Sequence, residues 1–300
     1  MTEAARRCGT IAVLGAPNAG KSTLINRLVG SKVSIVSPKV QTTRARVLAI
    51  AMHDAAQLIF IDTPGIFAPK RRLERAMVAA AWAGAQDADA VVLLVDAARG
   101  LDEDTARIID GLANAKRRAI LAINKVDRVA RERLLPLTDE LTKRGIFDAV
   151  FMISSLTGDG VDDLAAHLAR TMPEGPWLFP EDQISDVPLR LLAAELVREQ
   201  VFIQLHQELP YAITVETDEW EERKDGSVKI TATVHVARDS HKPIVLGKGG
   251  VQIKRIGAAA RVELERVLER RVHLFLHVRV TENWADDRER YAAMRLEYEK

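Results

Sequence analysis

Four short stretches hold residues whose types and spacing can do chemistry. The first is GAPNAGKST: Gly15, Ala16, Pro17, Asn18, Ala19, Gly20, Lys21, Ser22 and Thr23. It satisfies the G-x-x-x-x-G-K-[ST] pattern of a phosphate-binding loop. Backbone N–H groups of such a loop, and of the helix it opens, face phosphate oxygens. Lys21 reaches the β- and γ-phosphates, and the Ser22 hydroxyl ligates Mg²⁺. The second stretch is DTPG: Asp62, Thr63, Pro64 and Gly65. A carboxylate here holds Mg²⁺, and the Gly65 N–H contacts a γ-phosphate. An ordinary turn after a strand accounts for the same four residues. The third is NKVD, with Asn124, Lys125 and Asp127. A carboxylate accepts two hydrogen bonds from guanine's N1–H and exocyclic amine, and adenine offers no such pair. Asp127 as a helix N-cap is the competing reading.

The fourth stretch is Gly247, Lys248, Gly249 and Gly250 in VLGKGG. It lacks the P-loop spacing and has no Lys-Ser pair after its last glycine. Glycines there permit a close backbone approach that a Cβ would block. Between Arg238 and Arg279 lie ten basic and four acidic residues, an excess of six on a chain whose net charge is +1. A local basic patch on a neutral protein fits a groove that tracks nucleic-acid phosphates. A solvated face laced with ion pairs suits Glu263, Glu265, Arg266, Glu269 and Arg270 equally well. It does not suit Lys248, Lys254 and Arg255 beside the glycine turn.

These residues need elements to position them. From Thr10 to about Met172, apolar runs alternate with helical patterns: TIAVLG, RVLAIAM, QLIFID, AVVLLVD, RAILAIN and AVFMIS. Several are continuously hydrophobic, as strands buried on both faces are. Repeated β-α units predict an α/β domain with a mainly parallel six-stranded sheet. The second and third runs lack an intervening helix and are expected to pair antiparallel. Pro173, Pro176, Pro180 and Pro188 then mark a linker. Beyond it the pattern is a helix from Leu189 to His206, then YAITVETDEWEE and SVKITATVHVA with Asp225-Gly226 at their turn. A short helix, the glycine turn, a helix from about Val251 to Arg270 and the strand RVHLFLHVRVT complete an α-β-β-α-α-β order. Phe275 is expected in the core. Ile244, Val245, Val251 and Ile253 either floor a base-binding groove or pack helix on sheet. His273 and His277 share a strand face and make a poor metal site. The expected division is 8–173 for the nucleotide domain, 174–188 for the linker and hinge, and 189–300 for a smaller α+β domain with a C-terminal extension.

The bulk numbers set bounds. Three hundred residues, 47% hydrophobic and 28% charged, are those of a globular chain of one or two domains. Cys8 is the one cysteine, which excludes an internal disulfide and fits a reducing compartment. No apolar run reaches membrane-spanning length, and the N-terminus lacks a signal-peptide pattern.

The series GAPNAGKS, DTPG, NKVD and SSL (Ser154, Ser155, Leu156) resembles that of translation-factor-class GTPases. The stretch SPKVQTTRARV resembles the switch loop of the bacterial Era GTPase family, and the G-x-x-G turn in its α-β-β-α-α-β setting resembles a type II KH domain. Resemblance to the Era family covers essentially the whole chain. It implies GTP and Mg²⁺ binding and slow hydrolysis to GDP, catalysed around Lys21, Thr43, Asp62 and Gly65. It gives guanine contacts to Asn124, Lys125 and Asp127, with Ser154, Ser155 and Leu156 in the fifth motif. Thr43 is the first choice for the switch threonine and Mg²⁺ ligand, Thr42 the second. Asn18 either helps bind K⁺ or only shapes the loop. The resemblance further implies RNA contacts at Gly247–Gly250, Lys254 and Arg255, binding to the 3′ end of small-subunit rRNA, assistance to 30S assembly, and a cytoplasmic monomer with peripheral contact at the inner membrane. A membrane-associated signalling GTPase whose C-terminal domain binds a protein is the alternative. Ile66 stands where many GTPases carry a water-orienting Gln.

Overall fold

The structure is a computed structural model that describes residues 5–37, 39, 42–205 and 209–298. Contacts divide the chain into two compact units. One comprises Met1–Ser34, Thr43–Asp186 and Ala292–Lys300, the other Ile35–Thr42 and Val187–Tyr291.

In the first unit the expected runs are strands: β1 (Arg7–Leu14), β2 (Val47–His53), β3 (Ala56–Asp62), β4 (Ala90–Asp96), β5 (Ala119–Asn124) and β6 (Phe147–Met152). They form one sheet in the order β2-β3-β1-β4-β5-β6. Only β2 and β3 pair antiparallel; the other neighbours are parallel. Both faces are covered, which explains the uninterrupted apolar runs. Ile11 and Val13 face a core with Leu24 and Ile25 of α1 (Lys21–Val29) and Leu164 and Leu168 of α5 (Val161–Thr171). Ala12 and Leu14 face the opposite core, with Ala81 and Ala85 of α2 (Arg72–Asp87), Ile108 and Leu112 of α3 (Glu103–Asn114), and Leu141 of α4 (Leu134–Thr142). The functional motifs follow the C-terminal ends of β1, β3 and β5, where ligands bind in sheets of this kind.

The proline-rich span is tied down along much of its length. Cys8 N–H donates to Pro173 O and Ile50 N–H to Ile184 O. The buried amide of Gln57 accepts from Leu178 and Phe179 N–H and donates to Phe179 O. Residues 173–186 therefore run as a strap over the β2–β3 hairpin rather than as a loose connector.

The second unit has α6 (Leu189–Gln204), β7 (Ile213–Glu222), β8 (Val228–Val236), α7 (Lys242–Leu246), α8 (Val251–Leu268), β9 (Val272–Val280) and α9 (Arg288–Ala293), the last continuing into the first unit. The α-β-β-α-α-β order holds. The expected end of α6 at His206 lies outside the described residues. The sheet order is β7-β8-β9, with β8 and β9 parallel. Ala232, Val234, Val236, Leu274, Leu276 and Val278 form one core with α6 and α8. Phe275 does not join it: the residue is 50% exposed. In a strand the odd positions 273, 275 and 277 face away from the even ones, and here the even set faces the helices.

The segment Ile35–Thr42 belongs to this unit. Ile35 is buried with Ala193 and Leu196 of α6. Val36 N–H donates to Glu199 Oε1 at 2.8 Å. Lys39 donates to Phe202 O and Leu205 O, and Arg198 to Thr42 O.

Candidate functional site

The first glycine loop leaves β1 and opens α1. Lys21 Nζ is buried and donates to Gly15 O at 3.0 Å and Ala16 O at 3.1 Å. Burial lowers its pKa to about 8, partly offset by the Asp62 charge. An ammonium held here without an anion is desolvated, and a polyphosphate would restore its charge.

Three oxygens meet beside Lys21. Ser22 Oγ donates to Asp62 Oδ2 at 2.9 Å and lies 2.9 Å from Thr43 Oγ1. Asp62 Oδ1 is buried with no hydrogen-bond partner. Burial pushes the Asp62 pKa up, against nearby hydroxyls and the Lys21 charge. Two hydroxyls and a carboxylate with an orphaned oxygen form a hard-oxygen set that fits Mg²⁺. Thr42 goes elsewhere: its Oγ1 lies 2.7 Å from Ser37 Oγ and donates to Lys39 O at 2.8 Å.

The DTPG turn abuts the loop. Thr63 Oγ1 donates to Val13 O at 2.8 Å, and Ile66 N–H donates to Gly15 O at 3.2 Å. Ile66 is fully buried in the core under the sheet. Its apolar character has a structural cause, since a glutamine there would bury an amide. Asn124 ties three loops together. Its Nδ2 donates to Ala19 O at 2.8 Å, and its Oδ1 accepts from Ser155 N and Oγ, both at 2.9 Å. Lys125 takes the left-handed conformation and donates to Asn18 O and Asp96 Oδ2, both at 2.7 Å. Asp127 is exposed within a short 3₁₀ turn whose cap is Lys125. It is not the N-cap. Ser154 and Ser155 are buried while Leu156 is exposed.

Sequence reasoning missed three participants. Asp96 pairs with Lys125. Arg27 of α1 donates to the carbonyls of Ser155 and Leu156. Arg99 Nη1 donates to Pro17 O at 3.0 Å. A carboxylate closing the run AVVLLVD was a usable signal for Asp96; neither arginine sits in a motif.

In the second unit the glycine turn joins α7 to α8. Gly247 has φ +71°, and a Cβ on it would fall 2.7 Å from Gln252 Cβ. Gly249 and Gly250 have φ of +62° and +80°, with open space where a Cβ would go. Lys248, Lys254 and Arg255 are exposed, and among the described residues no ion pair engages them. By contrast Arg266 pairs with Glu263 and Arg270 with Glu222. Of the four flanking apolar residues, Val245 is core and Ile253 packs against it. Ile244 and Val251 are 55% and 66% exposed beside the turn.

A nucleotide-phosphate loop, a hard-oxygen triad and a buried Asn–Ser lattice around an exposed Asp are the parts of a P-loop GTPase, and the second unit is a KH domain. Residues 10–125 match the family model for a 50S ribosome-binding GTPase, and 208–285 that for a KH domain. The chain is 58% identical to GTPase Era of Sinorhizobium medicae over 294 residues, 98% of this chain and 95% of that one. It is 57% identical to GTPase Era of Agrobacterium fabrum over 97% of this chain and 92% of that one. Among solved structures it resembles Aquifex aeolicus Era bound to GDP and AlF₄⁻, at TM-score 0.90 and 39% identity, covering 96% and 98% of the two chains. It also resembles Era in complex with MgGDPNP and nucleotides 1506–1542 of 16S ribosomal RNA, at TM-score 0.91, 39% identity and the same coverage. The chain belongs to the Era family of GTPases.

Proposed function

We propose that this protein is a GTP-hydrolysing switch that binds the 3′ end of small-subunit rRNA through its KH domain and assists 30S assembly in the cytoplasm. The observation that carries this reading is the relative solved with a GTP analogue and 16S rRNA bound. This chain has matching parts: an open, positive-φ glycine turn flanked by exposed Lys248, Lys254 and Arg255. In KH domains such a turn clamps the backbone of about four nucleotides. Among the described residues no helix is long and apolar enough to cross a membrane.

In this reading loop amides 15–23 and Lys21 bind the phosphates, and Asp127 reads guanine while Asn124 and Lys125 hold the loops around it. Ser22, Thr43 and Asp62 would hold Mg²⁺, which would neutralise phosphate charge during transfer. The Gly65 N–H meets the γ-phosphate. Asn18, exposed at the loop's rim, binds K⁺; equal turnover in K⁺ and Na⁺ buffers would remove that assignment.

Nucleotide state reaches the RNA-binding unit through Thr43. That residue lies at Ser22, while the preceding Thr42 is held by Arg198 of α6. The test is the affinity of an oligonucleotide from the 16S 3′ end, measured with a non-hydrolysable GTP analogue and with GDP at one salt concentration. Binding at least about fivefold tighter with the analogue is expected, and RNA must then tighten the analogue by the same factor. Equal affinities would leave two uncoupled domains.

A further inference from the structure

The P-loop carbonyls show a pattern that the motif does not explain. Four consecutive carbonyls each accept from a cation. Gly15 O and Ala16 O accept from Lys21, Pro17 O from Arg99 and Asn18 O from Lys125. Lys21 and Lys125 belong to the nucleotide motifs. Arg99, in the turn after β4, belongs to none.

Arg99 is itself held firmly. Its Nη2 lies 2.6 Å from Asp102 Oδ2. Asp102 is fixed as the N-cap of α3, accepting from Thr105 N–H at 2.8 Å. The Arg99 and Gly100 N–H groups donate to Asp96 O at 3.0 and 2.9 Å. Ala98 N–H donates to Asp96 Oδ1 at 2.9 Å, and the other oxygen of that carboxylate takes Lys125. One rigid turn thus braces the Pro17 and Asn18 carbonyls together.

Pro17 C=O and Asn18 N–H belong to one peptide unit. In a planar trans peptide the two point in opposite directions. A carbonyl fixed on Arg99 therefore fixes the Asn18 N–H on the other side. Asn18 has φ +64°, uncommon for a residue other than glycine. The same segment touches the γ-phosphate side of the site, since a Cβ on Gly65 would fall 2.9 Å from Pro17 N.

We infer that Arg99 is a positioning residue for hydrolysis, and that it acts by presenting the Asn18 N–H to the oxygen that leaves with GDP. The inference rests on the reading of residues 15–23 as the GTP site. In the reaction the water oxygen bonds to the γ-phosphorus. The bond from that phosphorus to the β–γ bridging oxygen breaks, and its electron pair stays on GDP. The water's proton goes to the released phosphate. Negative charge grows on the bridging oxygen only as the bond breaks, so a fixed amide donor there stabilises the transition state more than the ground state. The buried Ile66 side chain has no polar group to share this work.

The experiment compares Arg99→Ala and Arg99→Lys with the unchanged full chain. It measures GDP affinity, affinity for GDP with AlF₄⁻ as a transition-state mimic, and kcat and KM for GTP. Loss of a direct oxyanion donor costs about 100- to 1,000-fold, and a group acting through that donor should cost less. For Arg99→Ala we expect kcat and the affinities for GDP and for GDP with AlF₄⁻ to fall together by about 30-fold, because the oxygen facing the Asn18 N–H is charged in all three, with KM for GTP within about twofold. Arg99→Lys should recover part of the loss. Asp102→Asn keeps the cap oxygen but loses the ion pair, and gives a smaller loss of the same kind should Arg99→Ala not fold. A rise in KM for GTP matching the fall in kcat, unrescued by lysine, would make Arg99 merely structural and overturn the inference. So would an unchanged kcat. Failure of the unchanged protein to bind GDP would instead overturn the reading of the site.

Discussion

The two glycine-rich loops of this chain are built in opposite senses. Around the P-loop, protein atoms already occupy the space that side chains would take. A Cβ on Gly20 would fall 2.3 Å from Asn124 Nδ2, and one on Gly65 would fall 2.9 Å from Pro17 N. Behind the KH turn only Gly247 is crowded, while Gly249 and Gly250 meet nothing within 4 Å. The first loop is closely backed by protein at Gly15 and Gly20. The second is firm on its inner side and open on its outer side, as a polymer passing over it requires. Glycine content alone does not separate these functions; what lies behind each glycine does.

The largest effects should come from reciprocal lesions. Lys21→Ala removes the buried ammonium proposed to bind two phosphates. With charge-assisted hydrogen bonds at about 1.5–3 kcal/mol each, GTP affinity should fall at least about 100-fold. Oligonucleotide affinity measured without nucleotide should stay within about twofold. Gly250→Asp places a carboxylate and a strained φ of +80° at the open turn proposed to meet RNA phosphate. RNA affinity should fall about 50-fold while GTP turnover stays within about twofold. Fluorescent-nucleotide and oligonucleotide titrations on both variants test the pair. A Gly250→Asp protein that bound RNA normally would end the comparison.

A proton should register at the first loop. Lys21 in the nucleotide-free protein sits at about 8, below its ordinary value, because burial disfavours its charge. Phosphates favour the charged form, so its pKa rises when nucleotide binds. Binding then takes up a proton wherever free Lys21 is neutral. Affinity is full below about pH 7.5 and weakens as pH rises through 8, by nearly tenfold per unit until the bound pKa is reached. Calorimetry at pH 8.5 in buffers of different ionisation enthalpy should show uptake of about three quarters of a proton per GDP. Zero uptake would mean that Lys21 is already charged in the empty site. Folding has its own sign. The unfolded chain binds the extra proton between about pH 8 and 10.5, so the empty protein gains stability across that window.

The placement of three of the four nucleotide motifs was legible because each follows or ends a buried strand, β1, β3 or β5, while SSL follows the partly exposed β6. Buried strands announce themselves as unbroken apolar runs. The antiparallel β2–β3 pair was legible from a missing helix. Phe275 was not, because Leu-Phe-Leu is apolar at every position and the pattern gives no face. The strap over residues 173–186 was hidden in one buried polar side chain, Gln57, whose partners in the strap, Leu178 and Phe179, lie more than a hundred residues away. The placement of Ile35–Thr42 with α6 depends on Arg198, Glu199 and Lys39, which in sequence look like ordinary surface charges. Tertiary hydrogen bonds between distant polar residues leave no periodicity to read. The C-terminal tail belongs to the first unit for the same reason: Tyr298 Oη accepts from Arg72 at 2.6 Å, and nothing local announces it.

The smallest expected effect is the sharpest test of the open side. Gly249→Ala keeps the loop's charge and adds one methyl group into open space. Its only folding cost is the left-handed backbone at φ +62°, about 1–2 kcal/mol for a residue with a Cβ. Gly20→Ala carries that strain at φ +104° and must also displace the Asn124 amide that holds three loops. Urea unfolding should therefore show a modest loss for Gly249→Ala in the transition of the C-terminal unit, with an unchanged slope. The loss for Gly20→Ala should be larger, in the nucleotide-binding unit, with GDP binding impaired as well. RNA affinity of the Gly249→Ala protein should nonetheless fall several-fold, because the methyl group occupies the path of the polymer and not of the fold. A loss of stability equal to that of Gly20→Ala would mean that the outer side of the KH turn is filled by protein, and the two loops would then be one design used twice.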